Sequence, residues 1–130
     1  MNAKILIGKS GLDGHDRGMR AVIKALQVAG FDVVYSGLYL SPEDFVNKAI
    51  EEKVDAIGIS IMTGAYNVIL PKILQFMNEK GIGDIPVFAG GIIPDEDVDK
   101  LKKMGIKEIF LPGTTLDEIV EFVKGLVKKQ

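Results

Sequence analysis

The sequence predicts an α/β fold: a single doubly wound, five-stranded parallel sheet with helices on both faces, flavodoxin-like (Rossmann-like) in plan. Three observations predict it. Five short apolar runs alternate with five longer segments of helical period along the 130 residues. The runs are continuously apolar rather than alternating, as strands buried on both faces must be. Chain alternation of this kind makes a parallel sheet with right-handed crossovers, and five strands suit an open sheet far better than a barrel of eight.

Taken in order, Ile5-Leu6-Ile7 is the first strand, and Met19, Val22, Ile23 and Leu26 form the first helical stripe at i, i+3, i+4, i+7. Asp32–Tyr35 is the second strand. Ser41-Pro42-Glu43-Asp44 then reads as an N-cap, a proline at the first helical position and acids in the first turn, ahead of a stripe of Phe45, Ala49 and Ile50. Ala56–Ile59 is the third strand. Ile69, Ile73, Phe76 and Met77 make the third stripe, in which Pro71 marks a kink or a late helix start. Pro86–Ala89 and Glu108–Leu111 supply the last strands. Val98, Leu101 and Met104 form the fourth stripe, and Leu116, Ile119, Val120 and Val123 the fifth. Gly30, Gly81 and Gly105 each follow a stripe, where a left-handed cap favours glycine. Five βα units use up residues 1–130, so one domain is expected, with no repeat or linker.

Composition narrows the chemistry. There is no cysteine, which removes disulfides, thiolate nucleophiles, iron–sulfur clusters and the usual structural zinc sites. The one histidine, His15, removes any polyhistidine metal centre. Sixteen basic against 18 acidic side chains leave a net charge of -2, unlike a backbone-driven nucleic-acid binder. No run of about 18 apolar residues is present to span a membrane. Met1–Ile5 leads straight into a strand without a signal peptide, and the absence of cysteine suits the cytoplasm.

In an open parallel sheet the ligand site lies beyond the carboxyl ends of the strands, at the switch in strand order. In the order 2-1-3-4-5 the first, third and fourth strands are neighbours, and the segments after them are unusual. After the first comes Gly8-Lys9-Ser10-Gly11-Leu12-Asp13-Gly14-His15-Asp16-Arg17-Gly18; after the third, Ser60-Ile61-Met62-Thr63-Gly64-Ala65; after the fourth, Gly90-Gly91-Ile92-Ile93-Pro94. Gly8-Lys9-Ser10 lacks the earlier glycine of a P-loop, since position 3 is Ala3, and the four glycines do not form a dinucleotide fingerprint. A phospho-acceptor receiver would need acids where Lys9-Ser10 and Ser60 stand. A Ser60–His15–Asp13 triad lacks a nucleophile elbow, with Met62 in place of glycine.

Asp13-x-His15-x-x-Gly18 remains. An aspartate two residues from a histidine accepts one ring N–H, fixes the tautomer and presents the other nitrogen to a metal or proton. Lys9 stands where it can hold the carboxylate. A lone Asp-x-His is more often a local loop hydrogen bond; its setting, among glycines 8, 11, 14 and 18 at the ligand edge, points further. One histidine cannot chelate a metal by itself, so its metal must bring other ligands, as a macrocycle does.

The run Gly11–Gly18, with Asp16-Arg17 inside D-x-H-x-x-G, resembles the cobalamin-binding domain of cobalamin-dependent mutases, methylmalonyl-CoA mutase above all. The likeness continues through Gly58-Ile59-Ser60, Gly90-Gly91-Ile92-Ile93-Pro94 and Pro112-Gly113-Thr114, across essentially the whole chain. Met62 stands where the family has leucine, and Tyr66 follows Thr63-Gly64-Ala65 where many members have histidine. The resemblance implies that His15 is the lower axial ligand to cobalt. Asp13 would accept from the other ring nitrogen, and Lys9 would complete the relay. Gly18, Ser60, Met62, Gly90 and Gly91 would line the buried nucleotide tail. Thr114 and Thr115 would donate to its polar end, where a helix N-terminus favours phosphate. It further implies adenosylcobalamin as cofactor and a separate large catalytic subunit with an acyl-CoA-binding barrel. Radical isomerisation of methylmalonyl-CoA and succinyl-CoA is the activity implied for the pair, with the chain alone inactive. Tyr66, Met62 and Asp16 are the candidates for the docking face. Alternatives are the small subunit of an isobutyryl-CoA or glutamate mutase, or a cobalamin carrier without a catalytic partner. A methyl-transferring corrinoid protein would carry a helical domain before Lys4, and a flavodoxin-like electron carrier would need a Ser/Thr-rich first loop.

Overall fold

The computed structural model describes residues 3–10, 17–35, 41–61, 66–91, 93–111 and 113–128. Strands and helices alternate strictly: β1 (Lys4–Ser10), α1 (Arg17–Val28), β2 (Asp32–Tyr35), α2 (Pro42–Glu52), β3 (Ala56–Ile61), α3 (Tyr66–Glu79), β4 (Val87–Gly91), α4 (Asp95–Met104), β5 (Ile106–Phe110) and α5 (Leu116–Lys128). The strands form one sheet in the order β2-β1-β3-β4-β5, every neighbouring pair parallel. This is the predicted flavodoxin-like order, and its direction reverses between β1 and β3.

Neighbouring residues of one strand point to opposite faces, so continuous apolar strands build two cores at once. Ile5, Ile7, Ala56 and Phe88 pack with Leu26 of α1 and with Ile119 and Val123 of α5. Leu6, Ile57, Ile59, Val87, Ala89 and Ile106 pack on the other face with Phe45, Val46 and Ala49 of α2, Leu70, Ile73 and Met77 of α3, and Leu101 of α4. Leu6 and Ile57 are wholly buried, and each such side chain contributes about 1.5–3 kcal/mol by leaving water. Among the described residues no helix is long and apolar enough to cross a membrane.

The punctuation behaves largely as its chemistry requires. The Ser41 side chain accepts from the Asp44 N–H at 3.1 Å, with Pro42 opening α2. Gly30, Gly81 and Gly105 have φ of 102°, 83° and 129°, a region that a Cβ disfavours. The exception is Lys53, which closes α2 at φ 54° without being glycine. Four expectations about single residues change. Ile50, Met104 and Leu116 are exposed rather than packed: α2 meets the sheet through Phe45, Val46 and Ala49, and the other two sit at helix ends beyond the sheet's cover. Pro71 does not delay α3, which begins at Tyr66 and runs through it. The proline removes the bond that an N–H at this position would make to the Asn67 carbonyl, and its ring crowds the same carbonyl.

Candidate functional site

The carboxyl ends of β1, β3 and β4 lie side by side, as predicted, but the strands run further than their apolar residues suggest. Gly8, Lys9 and Ser10 belong to β1, Ser60 and Ile61 to β3, and Gly90 and Gly91 to β4, where loops were expected. Ladder pairing uses backbone groups alone, so a polar or glycine residue continues a strand whenever both neighbours offer partners. The register sets Lys9 beside Ser60, Ser60 beside Gly90 and Gly90 beside Phe110, one row across four strands. The next row is Ser10, Ile61 and Gly91.

Alternation puts Ser60 and Gly90 on the face covered by α1 and α5, with Ala56 and Phe88 before them on the same strands. One step below, that face is full: a Cβ on Gly58 would lie 2.6 Å from the Phe88 ring and 2.8 Å from Ile7 Cδ1. At Gly90 it is open, because a Cβ there would meet only the Phe110 carbonyl oxygen, at 3.7 Å, among the described residues. Burial changes at the same level. Ala56–Ile59 and Val87–Ala89 are buried, whereas Ser60, Gly90 and Gly91 are half-exposed. Among the described residues this leaves open space over the last row of the sheet, beside Ser60 and the bare Gly90 backbone. On the same face Phe88, Phe110 and Phe122 pack edge to face with centroids 5.4–6.2 Å apart.

The glycines of this edge therefore have different reasons to be glycine. Gly8 faces the opposite side, where a Cβ would run into the buried Phe45 ring. Gly91, at φ 158°, brings its α-carbon against the Ile61 carbonyl oxygen, which a Cβ would strike. Both serve packing of the protein on itself, while Gly90 leaves room. No sequence signal distinguishes the two members of the Gly-Gly pair; the register does.

Thr114 and Thr115 are placed differently from each other. The Thr114 hydroxyl donates to the Leu111 carbonyl oxygen at 2.7 Å, so its proton is committed to the turn and its oxygen is left as an acceptor. Thr115 caps α5, its Oγ1 accepting from the Glu118 N–H at 3.1 Å. Asp117 and Glu118 occupy the first turn of that helix. Those two carboxylates already complement the helix dipole and oppose a phosphate at the same terminus.

Tyr66, a candidate for the docking face, is turned inward. It is 7% exposed, and its hydroxyl donates to Asp97 Oδ2 of α4 at 2.6 Å. That bond, then burial, holds the phenol above its ordinary pKa. The pair, 31 residues apart, has no signature in the sequence. Asp13, His15, Asp16 and Met62 lie outside the described residues. Lys9 is placed as a strand residue and Gly18 as the second residue of α1, which begins at this edge. Among the described residues no three His, Cys, Asp or Glu side chains gather into a metal site.

Comparison with known proteins bears on this edge. Residues 3–121 match the model of a family described as the B12 binding domain. The chain is 45% identical over 124 residues to the 2-hydroxyisobutanoyl-CoA mutase small subunit of Aquincola tertiaricarbonis, covering 95% of this chain and 91% of that one. It is 39% identical to the pivalyl-CoA mutase small subunit of Xanthobacter autotrophicus, covering 97% and 84%. With the methylmalonyl-CoA mutase of Cereibacter sphaeroides the identity is 36% over 97% of this chain, but this chain spans only 18% of that protein. Among solved structures, a cobalamin-binding protein from Desulfitobacterium hafniense superposes with a TM-score of 0.81 at 20% identity, over 96% of this chain and 59% of the other. A response regulator from Thermotoga maritima superposes at 0.73 with 20% identity, over 98% and 99%. At such identities the structural likenesses show the fold alone.

Proposed function

Because the chain belongs to the B12-binding domain family, we propose that it is the small, cobalamin-carrying subunit of an acyl-CoA mutase. The observation that carries this reading is the space left open at Gly90 among the described residues, beside Ser60 and level with Lys9 at the switch in strand order. A slender ligand portion fits where the sheet supplies a hydroxyl and bare backbone, and where a single methyl group would already intrude. The cofactor does not have to be gripped by a protein ligand cage, since its corrin ring brings four nitrogens to the cobalt.

On this reading His15 would supply the protein's nitrogen ligand to cobalt. Asp13 accepts the proton-bearing nitrogen and fixes the tautomer, and Lys9 orients Asp13 from the end of β1. Ser60, Met62 and Gly90 line the tail, and Gly18 and Gly91 contribute backbone alone. Thr114 contributes through its oxygen as an acceptor. Bound as adenosylcobalamin, the cofactor would supply radical chemistry. The chain's own part is to hold that cofactor, exclude water from its lower side and leave the upper side to a large catalytic subunit with an acyl-CoA-binding barrel.

The substrate class that the relatives favour is an acyl-CoA whose carbon skeleton is rearranged. Methylmalonyl-CoA, the narrower expectation from the sequence, is one member. The two relatives that the chain spans nearly end to end are named for 2-hydroxyisobutanoyl-CoA and pivalyl-CoA. A cytoplasmic location completes the proposal.

Titration with hydroxocobalamin, followed by visible absorbance, tests it. Replacement of the cofactor's own base by His15 moves the bands, and His15→Ala abolishes the shift while far-UV circular dichroism is unchanged. An identical spectrum from the substituted protein would refute His15 as the ligand. Turnover of any acyl-CoA by the purified small chain alone would refute the division of labour.

A further inference from the structure

Tyr66 opens α3 and Asp97 lies in the first turn of α4, so their bond joins the two helices at their amino ends. At 2.6 Å, with a carboxylate as acceptor, it is of the short, charge-assisted kind. Both partners are held. The Tyr66 ring packs in the core beneath α2, α3 and α4, and the Asp97 backbone N–H donates to the Pro94 carbonyl oxygen at 2.9 Å.

The two helices follow β3 and β4, the strands that carry Ser60 and Gly90. Inside the sheet those strands are fastened by the ladder that sets Ser60 beside Gly90 and Ile61 beside Gly91. Among the described residues that pairing is carried no further. Beyond the edge of the sheet, the bond from Tyr66 to Asp97 is a second fastening across the same two βα units, on the side of the sheet away from α1 and α5. Backbone pairing fixes Ser60 and Gly90 to each other but not the helices that follow them. A ligand extending past Ser60 and Gly90 would reach the level at which these two helices begin.

We infer that the Tyr66–Asp97 hydrogen bond is a positioning element of the cobalamin site, setting the spacing of the α3 and α4 amino ends beyond Ser60 and Gly90. The inference rests on the cobalamin reading above and adds a pair of residues that acts through the frame of the site. Tyr66→Phe removes one oxygen and keeps the ring in its buried seat; Asp97→Ala removes the acceptor from a half-exposed helix position; Asp97→Asn keeps an acceptor oxygen.

Hydroxocobalamin affinity is measured for each variant at a temperature where the cofactor-free protein is fully folded. A bond that only stabilises the fold leaves affinity unchanged there. The expected result is a roughly three- to tenfold weaker Kd for Tyr66→Phe and for Asp97→Ala, matching the worth of one hydrogen bond. The double variant loses no more than either single one, and Asp97→Asn stays within about twofold of wild type. Wild-type affinity in Tyr66→Phe, or additive losses in the double variant, would overturn the positioning role while leaving cobalamin binding intact. A wild-type protein that does not alter the hydroxocobalamin spectrum would overturn the cobalamin reading itself, and the inference with it.

Discussion

Gly90→Ala separates the fold from the site. The Gly90 backbone is not in the positive-φ region, so alanine adopts it without strain. Among the described residues the new methyl group would meet only the Phe110 carbonyl oxygen, at 3.7 Å, an ordinary van der Waals contact. Removing the excess conformational freedom of a strand glycine is worth about 0.5–1 kcal/mol. The cofactor-free variant is therefore expected to be as stable as wild type or slightly more so. The same methyl stands in the open space beside Ser60. If forcing one carbon into a fitted space costs about 1–3 kcal/mol, hydroxocobalamin binds roughly five- to 150-fold more weakly. Urea denaturation without cofactor and absorbance titration with it read the two effects independently. Wild-type affinity in Gly90→Ala would refute this space as the tail's seat. A loss of more than about 1 kcal/mol of stability would refute the claim that the space over Gly90 is free.

Gly8→Ala should behave in the opposite way, because its Cβ runs into the Phe45 ring between β1 and α2. A stability loss of about 1–3 kcal/mol is expected, partly relieved when Phe45→Leu is combined with it, and denaturation midpoints of the single and double variants check both. Glu108 gives a dependence on pH. Partial burial raises its carboxyl pKa, but the Lys102 ammonium at 2.7 Å and the Ile109 N–H at 3.0 Å outweigh that, and the net shift is downward. A lowered folded pKa means stability that is present above the ordinary glutamate value and lost as pH falls through the lowered one. The stability gap between wild type and Glu108→Gln should therefore be open at pH 6 and close below about pH 4. A gap that stays constant across that range would count against the ion pair.

The alternation of strands and helices was legible because burial on both faces demands continuous apolar strands, and because helix period and caps are local chemistry. Ser41, Gly30, Gly81 and Gly105 act where their residue types predict. The limits of β1, β3 and β4 were not legible. Lys9, Ser60 and Gly90 have no strand character of their own and extend their strands only because a neighbour supplies the partner groups. Lys53 shows the same limit, since a left-handed cap held by the surrounding fold overrides the preference for glycine. Ile50 satisfies the helical period yet is exposed, because the period does not say which side of the stripe the sheet will meet.

By itself, then, the sequence determined the α/β class and the order of elements, and Asp13-x-His15-x-x-Gly18 together with Ser60 and Gly90-Gly91 carried the resemblance to the family. These follow from residue types and spacings that are read within a few positions of one another. Only the tertiary structure decided that, among the described residues, Gly90 leaves space while Gly8 and Gly91 fill it, and that the Tyr66 hydroxyl meets Asp97. Each of those depends on what lies across a strand register or between helices 31 residues apart. Contacts at that separation come into being when the sheet closes, and no local pattern encodes them.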